Sequence, residues 1–304
     1  MLKTLNHLAP GDRVWLILLQ GAALLSASLV GFILLFLVKE SWPFFLDPGI
    51  ATLFQDPDWS PTLEDYNLIP MVVGSFAVTL GALAIAVPFG LGAAIFACYY
   101  APSFIALIYR RMLELLAGIP SVVYGFWGLV VLVPLIARVH PPGPSLLAGI
   151  VILALMILPT LALIADSQLR QIPPQYWRSS QSMGIGRWAT LWTVCLPAAR
   201  PGLMTAIGLG LGRALGETMA VLMVCGNVVQ IPDSLYSSVR TLTANIALEM
   251  AYASGHHRAA LFVTGLLLLG LVGLTFSLRV ISFSWTRGGW SGVEGDPSRL
   301  GRQE

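Results

Sequence analysis

Long apolar runs separated by short polar clusters dominate the chain. The first, Val14–Val38, is 25 residues without a charge. That is about 37 Å of helix, enough to cross the hydrocarbon layer. It exceeds the roughly 7–15 apolar residues of a signal-peptide core. No small-residue cleavage pattern follows before Lys39, so it reads as a retained anchor. No charge occurs between Asp65 and Arg110, which predicts a second span over residues 71–99, loosened by Pro88 and nearby glycines. Four more spans are expected over 115–137, 146–164, 203–229 and 259–278. The pattern predicts an all-α, polytopic membrane bundle of six transmembrane helices, one domain covering residues 1–304.

Composition agrees. Of 304 residues 56% are hydrophobic and 11% charged, with a mean hydropathy of +0.79. A soluble domain carries about 25% charged residues, so this chain has too few polar groups to cover a surface in water. The net charge of +2 gives no argument for nucleic acid. Lysine and arginine bias orients the spans. With the N-terminus inside, twelve of the seventeen cations fall on cytoplasmic segments, among them Lys3, Arg110, Arg111, Arg178, Arg187, Arg299 and Arg302. Both termini are therefore expected in the cytoplasm. The outer loop 39–68 carries six acids against Lys39 alone. Cys98, Cys195 and Cys225, widely spaced and without a C-x-x-C pattern, read as small apolar fillers.

The connection between spans four and five is too long to be passive, since helix–helix links in bundles take about 2–8 residues. Over residues 171–200, Pro173–Pro174 stops one helix and starts another over Gln175–Met183. Gly184 and Gly186 permit a sharp turn. Arg187–Leu196 resumes as a short helix, ended by Pro197 and Pro201. Two readings stand: an amphipathic segment with tryptophans at headgroup level, or a helix–turn–helix that docks into a cytoplasmic partner. Gly184, nine residues, Val194, one residue and Leu196-Pro197 resemble the EAA coupling loop of ATP-binding-cassette importer permeases. The Glu-Ala-Ala positions then fall on Arg178, Ser179 and Ser180, so an arginine replaces the family glutamate. No Walker A motif is possible around Lys3 or Lys39.

GLGLGRALGETMAV, residues 208–221, puts Arg213 and Glu217 four apart in an apolar run. On one continuous helix they share a face and are expected to point toward each other. Gly208, Gly212 and Gly216 form a ridge for close helix packing. Each charge at mid-bilayer costs about 2.5–3.5 kcal/mol, so neither belongs on a lipid face. The pair either locks helix register or offers guanidinium donors to a passing oxyanion, with Glu217 restraining Arg213.

Beyond span five, residues 230–258 are too short in apolar sequence to cross and read as a re-entrant or surface-lying helix. Its Arg240, Thr241, Thr243, Asn245 and Glu249 are candidates for a gate or a docking surface; satisfied interfacial polarity is the alternative. His256–His257 lacks further ligands at metal spacing. Gly118, Pro120 and Gly125 break the start of span three.

Together with IPSVVYGFWG (119–128) and TLTANIALEM (241–250), the GLGRALGETMAV block resembles the C-type permease subunit of the high-affinity phosphate (Pst) importer. The likeness runs from Val14 to about Ser284. It implies a type I ABC importer-like permease in the bacterial inner membrane, with Arg213 and Glu217 as transport residues. It implies a heterodimer with an A-type permease, two cytoplasmic ABC ATPases that use ATP and Mg²⁺, and an external phosphate-binding protein. This chain is expected to hydrolyse nothing and to bind no cofactor itself. The alternatives are a permease for sulfate, molybdate or a phosphonate, and, in another class, an anion channel or a membrane scaffold.

Overall fold

A computed structural model describes residues 10–287, and the chain there is mostly helical. Lys3, Arg299 and Arg302, which entered the charge count, lie outside the described residues. Helix α1 (Pro10–Leu46) leads to α2 (Thr52–Gln55) and a two-residue hairpin, in which Trp59 of β1 (Trp59–Ser60) faces Tyr66 of β2 (Asp65–Tyr66). Helix α3 (Ile69–Ile95) ends in a π-helical turn, Phe96–Tyr100, and is followed by α4 (Ser103–Ala117). Helices α5 (Ser121–Trp127) and α6 (Val133–Val139) flank a second π turn and form one span; α7 (Leu146–Arg170) is the next. Then come α8 (Pro174–Ser182), α9 (Arg187–Thr190), a third π turn at Leu191–Cys195, and α10 (Leu196–Leu215). The short α11 (Met219–Val224) and α12 (Leu242–Glu249) precede α13 (Gly255–Arg287).

Among the described residues six helical segments are long and apolar enough to cross a membrane: Val14–Leu46, Ile69–Tyr100, Ser121–Val139, Leu146–Arg170, Arg187–Leu215 and Gly255–Thr275. Their limits differ from the expected ones: span one runs on to Leu46 and span four to Arg170, and spans three and five differ for reasons visible in the backbone. Residues 115–117 end the separate amphipathic helix α4 rather than start span three, because Gly118 caps α4 and Pro120 brings no N–H to a continuing helix. The expected stop at Pro197 and Pro201 does not occur: Arg187–Leu215 runs on as span five. The π turn makes this possible, since Leu196 N–H bonds back to Leu191 O. That longer step relieves the carbonyl that the Pro197 ring would crowd. At its other end span five stops at Leu215, and residues 216–229 leave it. The segment 230–258 is neither plain loop nor surface helix. Its α12 is inserted, with Leu242, Thr243, Ala244, Asn245 and Glu249 buried.

The most buried span, α7, forms the axis of the bundle. Helix α3 lies against it so closely that a Cβ at Gly81 would sit 2.5 Å from Ile150, and one at Gly90 2.6 Å from Leu161. Around this contact three apolar clusters stack. The middle one joins Val78, Ala82, Ile152, Met156, Val221 and Val224. At the end carrying residues 171–200, Ala94, Ala165, Leu169, Ala199 and Leu203 pack together. At the opposite end Phe44, Trp59, Tyr66, Met71, Leu242 and Leu261 form the third. Helix α1 touches the bundle along α13, with Phe36 edge-on to Phe262 at 5.6 Å. The rest of its circumference, including Leu24 and Leu35, is exposed, as suits a hydrocarbon solvent.

The α5–α11 contact is equally tight, since a Cβ at Gly125 would lie 2.8 Å from Ala220 Cα. Gly125→Val should destabilise the protein by about 1–3 kcal/mol. Gly21→Val, where nothing lies within 4 Å, should be neutral. Unfolding of both variants in detergent checks this.

Candidate functional site

The apolar run holding Arg213 and Glu217 is not one helix. Gly216 caps α10, and α11 begins at Met219. Arg213 therefore belongs to the last turn of α10, where the carbonyl end of the helix favours a cation. Glu217 sits ahead of α11, and its Oε1 accepts the Ala220 N–H at 3.1 Å. The carboxylate thus satisfies a donor that the short helix leaves free. The expected facing of the two side chains is corrected: among the described residues they form no ion pair, because the chain turns between them. Arg213 is exposed, and its nearest polar partner is Thr160 Oγ1 of α7 at 3.5 Å.

The glycine ridge is not the face that α10 packs within this chain. Within this chain the packing face of α10 is Ala206, Gly210 and Ala214, all buried; a Cβ at Gly210 would meet Leu161 and Leu83. Gly208 and Gly212 are half-buried and Gly216 is exposed. Leu209, Arg213 and Gly216 lie on the uncovered face.

Helix α12 seals the break. Thr243 Oγ1 donates to Glu217 O at 2.8 Å, Thr241 Oγ1 accepts from Ala244 N–H and caps α12, and Leu242 N–H donates to Ser75 Oγ of α3. Ser75, Thr79, Glu217, Thr241 and Thr243 line a recess of about 10 Å³, at the lower limit for one water. No oxyanion fits on this side of the break. On the other side of the break Arg213 is exposed.

On the 171–200 segment, Arg178 and Ser179 are exposed on α8, while Ser180 is buried and its Oγ donates to Tyr176 O at 2.9 Å. Gly184 has φ +72, and a Cβ added there would meet nothing within 4 Å, so glycine is required by backbone conformation and not by space. Val194 and Leu196 are half-buried and Pro197 is exposed on the continuous helix. Met183 (76%), Trp188 (64%) and Trp192 (53%) present an exposed apolar surface.

Residues 86–287 match the family described as the binding-protein-dependent transport system inner membrane component. The chain belongs to this family. The permease is 42% identical over 228 residues to the probable ABC transporter permease protein YqgH of Bacillus subtilis, covering 73% of this chain and 74% of that one. It is 35% identical to the phosphate transport system permease protein PstC of Pasteurella multocida, covering 80% and 82%. Against PstC of Mesorhizobium japonicum the identity is 32%, covering 92% and 91%. Among solved structures, a bacterial ABC transporter involved in the import of the acidic polysaccharide alginate matches with TM-score 0.58 at 15% identity, over 88% of this chain and 98% of that chain. An inward-facing MetNI methionine ABC transporter matches with TM-score 0.54 at 20% identity, over 77% and 95%. These two show the fold. The protein is a multi-pass membrane permease subunit of an ABC importer, and such subunits work with ATPase subunits and a substrate-binding protein.

The permease also contains a buried cluster that sequence reasoning saw only in part. Glu249, 6% exposed, accepts from Arg240 Nη1 at 2.7 Å and from Trp59 Nε1 at 2.8 Å, and His257 Nε2 lies 2.9 Å from it. Arg240 further donates to Asn227 O and to Asn245 Oδ1. The cluster ties the β1–β2 loop, α12 and the start of α13 together. A cavity of about 630 Å³ opens beside it, lined by Glu64, Tyr66, His256 and His257 among others. Burial pushes the Tyr66 hydroxyl above its ordinary range, with Glu64 and Asp56 adding to the effect. Trp59 carried no local signal, because it is joined to Glu249 across 190 positions of chain; His257 lies only eight positions from Glu249, but the His256–His257 pair was read only for metal spacing. Thr160 and Ser75 were equally silent, being single hydroxyls in apolar runs.

Glu249→Ala should loosen α12 by about 3–5 kcal/mol, the usual cost of stranding one partner of a buried pair. Hydrogen exchange at amides 240–257 should accelerate, and Glu249→Gln should lose less. Unchanged protection in Glu249→Ala would show that the cluster does not hold α12.

Proposed function

We propose that the permease forms one half of the membrane path of an ATP-driven inorganic phosphate importer. The observation that carries the substrate is the similarity to the phosphate permeases, which extends over 92% of the chain in one case. The partners in this reading are a related A-type permease, two cytoplasmic ATPases and an external phosphate-binding protein. The termini are cytoplasmic, as the lysine and arginine bias supports. ATP and Mg²⁺ act on the ATPases, and this chain binds neither.

Arg213 contacts the anion in passing. A guanidinium gives two-pronged hydrogen bonding suited to phosphate, and the exposure of Arg213 on α10 supports a role at a seam with the sister subunit. Glu217, whose Oε1 caps the Ala220 N–H, places a negative charge near the path and so keeps affinity for the anion low, and a path that binds weakly also releases. The 171–200 segment docks on an ATPase through the exposed surface around Met183, Trp188 and Trp192. Helix α12, held by Arg240, Asn245 and Glu249 and bearing Thr241 on the break, is the gate on the opposite side. A permease for another oxyanion shares each step except the substrate.

ATP-dependent uptake by the reconstituted complex separates these readings. Phosphate should enter, and sulfate or molybdate should not; equal uptake of all three overturns the substrate. Arg213→Ala should abolish uptake in an assembled complex, and Arg213→Lys should be defective because the fork is lost. Full activity of the alanine variant removes the assignment. Gly184→Val, strained at positive φ, should let ATP hydrolysis proceed without transport; normal coupling would make the loop passive.

A further inference from the structure

The geometry points to an aromatic pin, Trp177 stacked on Tyr99, as the positioning contact through which movement of α8 reaches the spans. This rests on the reading that the 171–200 segment docks on an ATPase. Neither residue belongs to the family pattern in that segment. Trp177 is half-buried on the side of α8 away from Arg178 and Ser179, and its ring lies 5.2 Å from that of Tyr99, inclined by 14°. Beyond this stack α8 leans on its own neighbours, α9 and the π turn at 191–195.

Tyr99 is not a free surface ring. It sits in the π turn that ends α3, and its hydroxyl donates to Leu169 O of α7 at 3.4 Å. Two residues back, Ala97 O accepts from Arg110 Nη2 at 2.8 Å. The same guanidinium forks onto Asp166 of α7, with Nε to Oδ2 at 2.9 Å and Nη2 to Oδ1 at 3.0 Å. Arg170 Nε adds a third donor to Asp166 at 3.0 Å. Asp166 is 4% exposed, so water does little to loosen this node. One platform therefore joins α3, α4 and α7, and Trp177 presses on its edge. Close-packed interiors compress little and transmit displacement. A flat aromatic stack passes a push across the gap without a covalent link.

The test uses the complete transporter in proteoliposomes with loaded binding protein. It reads phosphate imported per ATP hydrolysed, together with the amount of ATPase that co-purifies with the permease. Trp177→Ala and Tyr99→Leu should each lower the ratio at least fivefold while the ATPase stays bound and active. Trp177→Phe and Tyr99→Phe, which keep a stack, should stay within twofold of the unaltered protein. An unchanged ratio in either ring-deleting variant overturns the pin. So does loss of the ATPase from Trp177→Ala beside a normal ratio in Tyr99→Leu, since Trp177 would then belong to the docking surface. If Trp177→Ala does not accumulate, Trp177→Leu is read in the same way; failure of all three ring-deleting variants to accumulate also overturns it, because the contact then serves folding. An unaltered permease that retains no ATPase removes the docking reading instead.

Discussion

A helix that stops among packed apolar side chains leaves peptide groups that the protein itself must satisfy. The break after the buried Leu215 imposes that constraint, and much of the site follows from it. Glu217 O is taken by Thr243 Oγ1 and the Ala220 N–H by the Glu217 carboxylate. Thr218 O accepts from Leu222 N–H within α11. The first N–H of α12 is in turn satisfied by Ser75 on α3. Helix α12 is inserted because its threonines complete this set, which apolar side chains in their place would leave open.

Charge follows the same logic. A buried ion pair seldom repays its desolvation, and Arg213 and Glu217 avoid the problem by lying on either side of the break after Leu215. Arg213 goes to a helix C-terminus and Glu217 to a helix N-terminus, each the favourable end for its sign. Where charges do meet, each carboxylate takes part in three hydrogen bonds: Glu249 with Arg240, Trp59 and His257, and Asp166 with Arg110 twice and Arg170 once. These two nodes hold opposite ends of the bundle, while the middle depends on close helix contact. A permease has to keep its ends connected as its centre changes exposure, and polar nodes at the ends with small residues between them serve that division.

The six spans, the turn at Gly184 and the family itself were legible because each is written locally, as an apolar run, a glycine or a short motif. The limits of span five were not. Pro197 reads as a stop unless the π turn before it is known, and no residue pattern announces a π turn. The apolar character of residues 216–224 hid the break, since glycine and threonine interrupt many membrane helices without ending them. Arg213 and Glu217 stood out in the sequence as candidates, but their mutual geometry was not legible, because i,i+4 reasoning assumes an unbroken helix. Trp59 and Thr160 depended on long-range packing alone.

The uninterrupted run from Arg187 to Leu215 has a mechanical consequence. It is 29 residues long, a strut of about 43 Å with Trp188 at one tip and Arg213 near the other. Where the run moves as one rod through its π turn and Pro201, a tilt of roughly 10° at the first tip swings the second by about 7 Å, more than a helical turn. The guanidinium is carried by the backbone and needs no rotamer change of its own to sweep that distance.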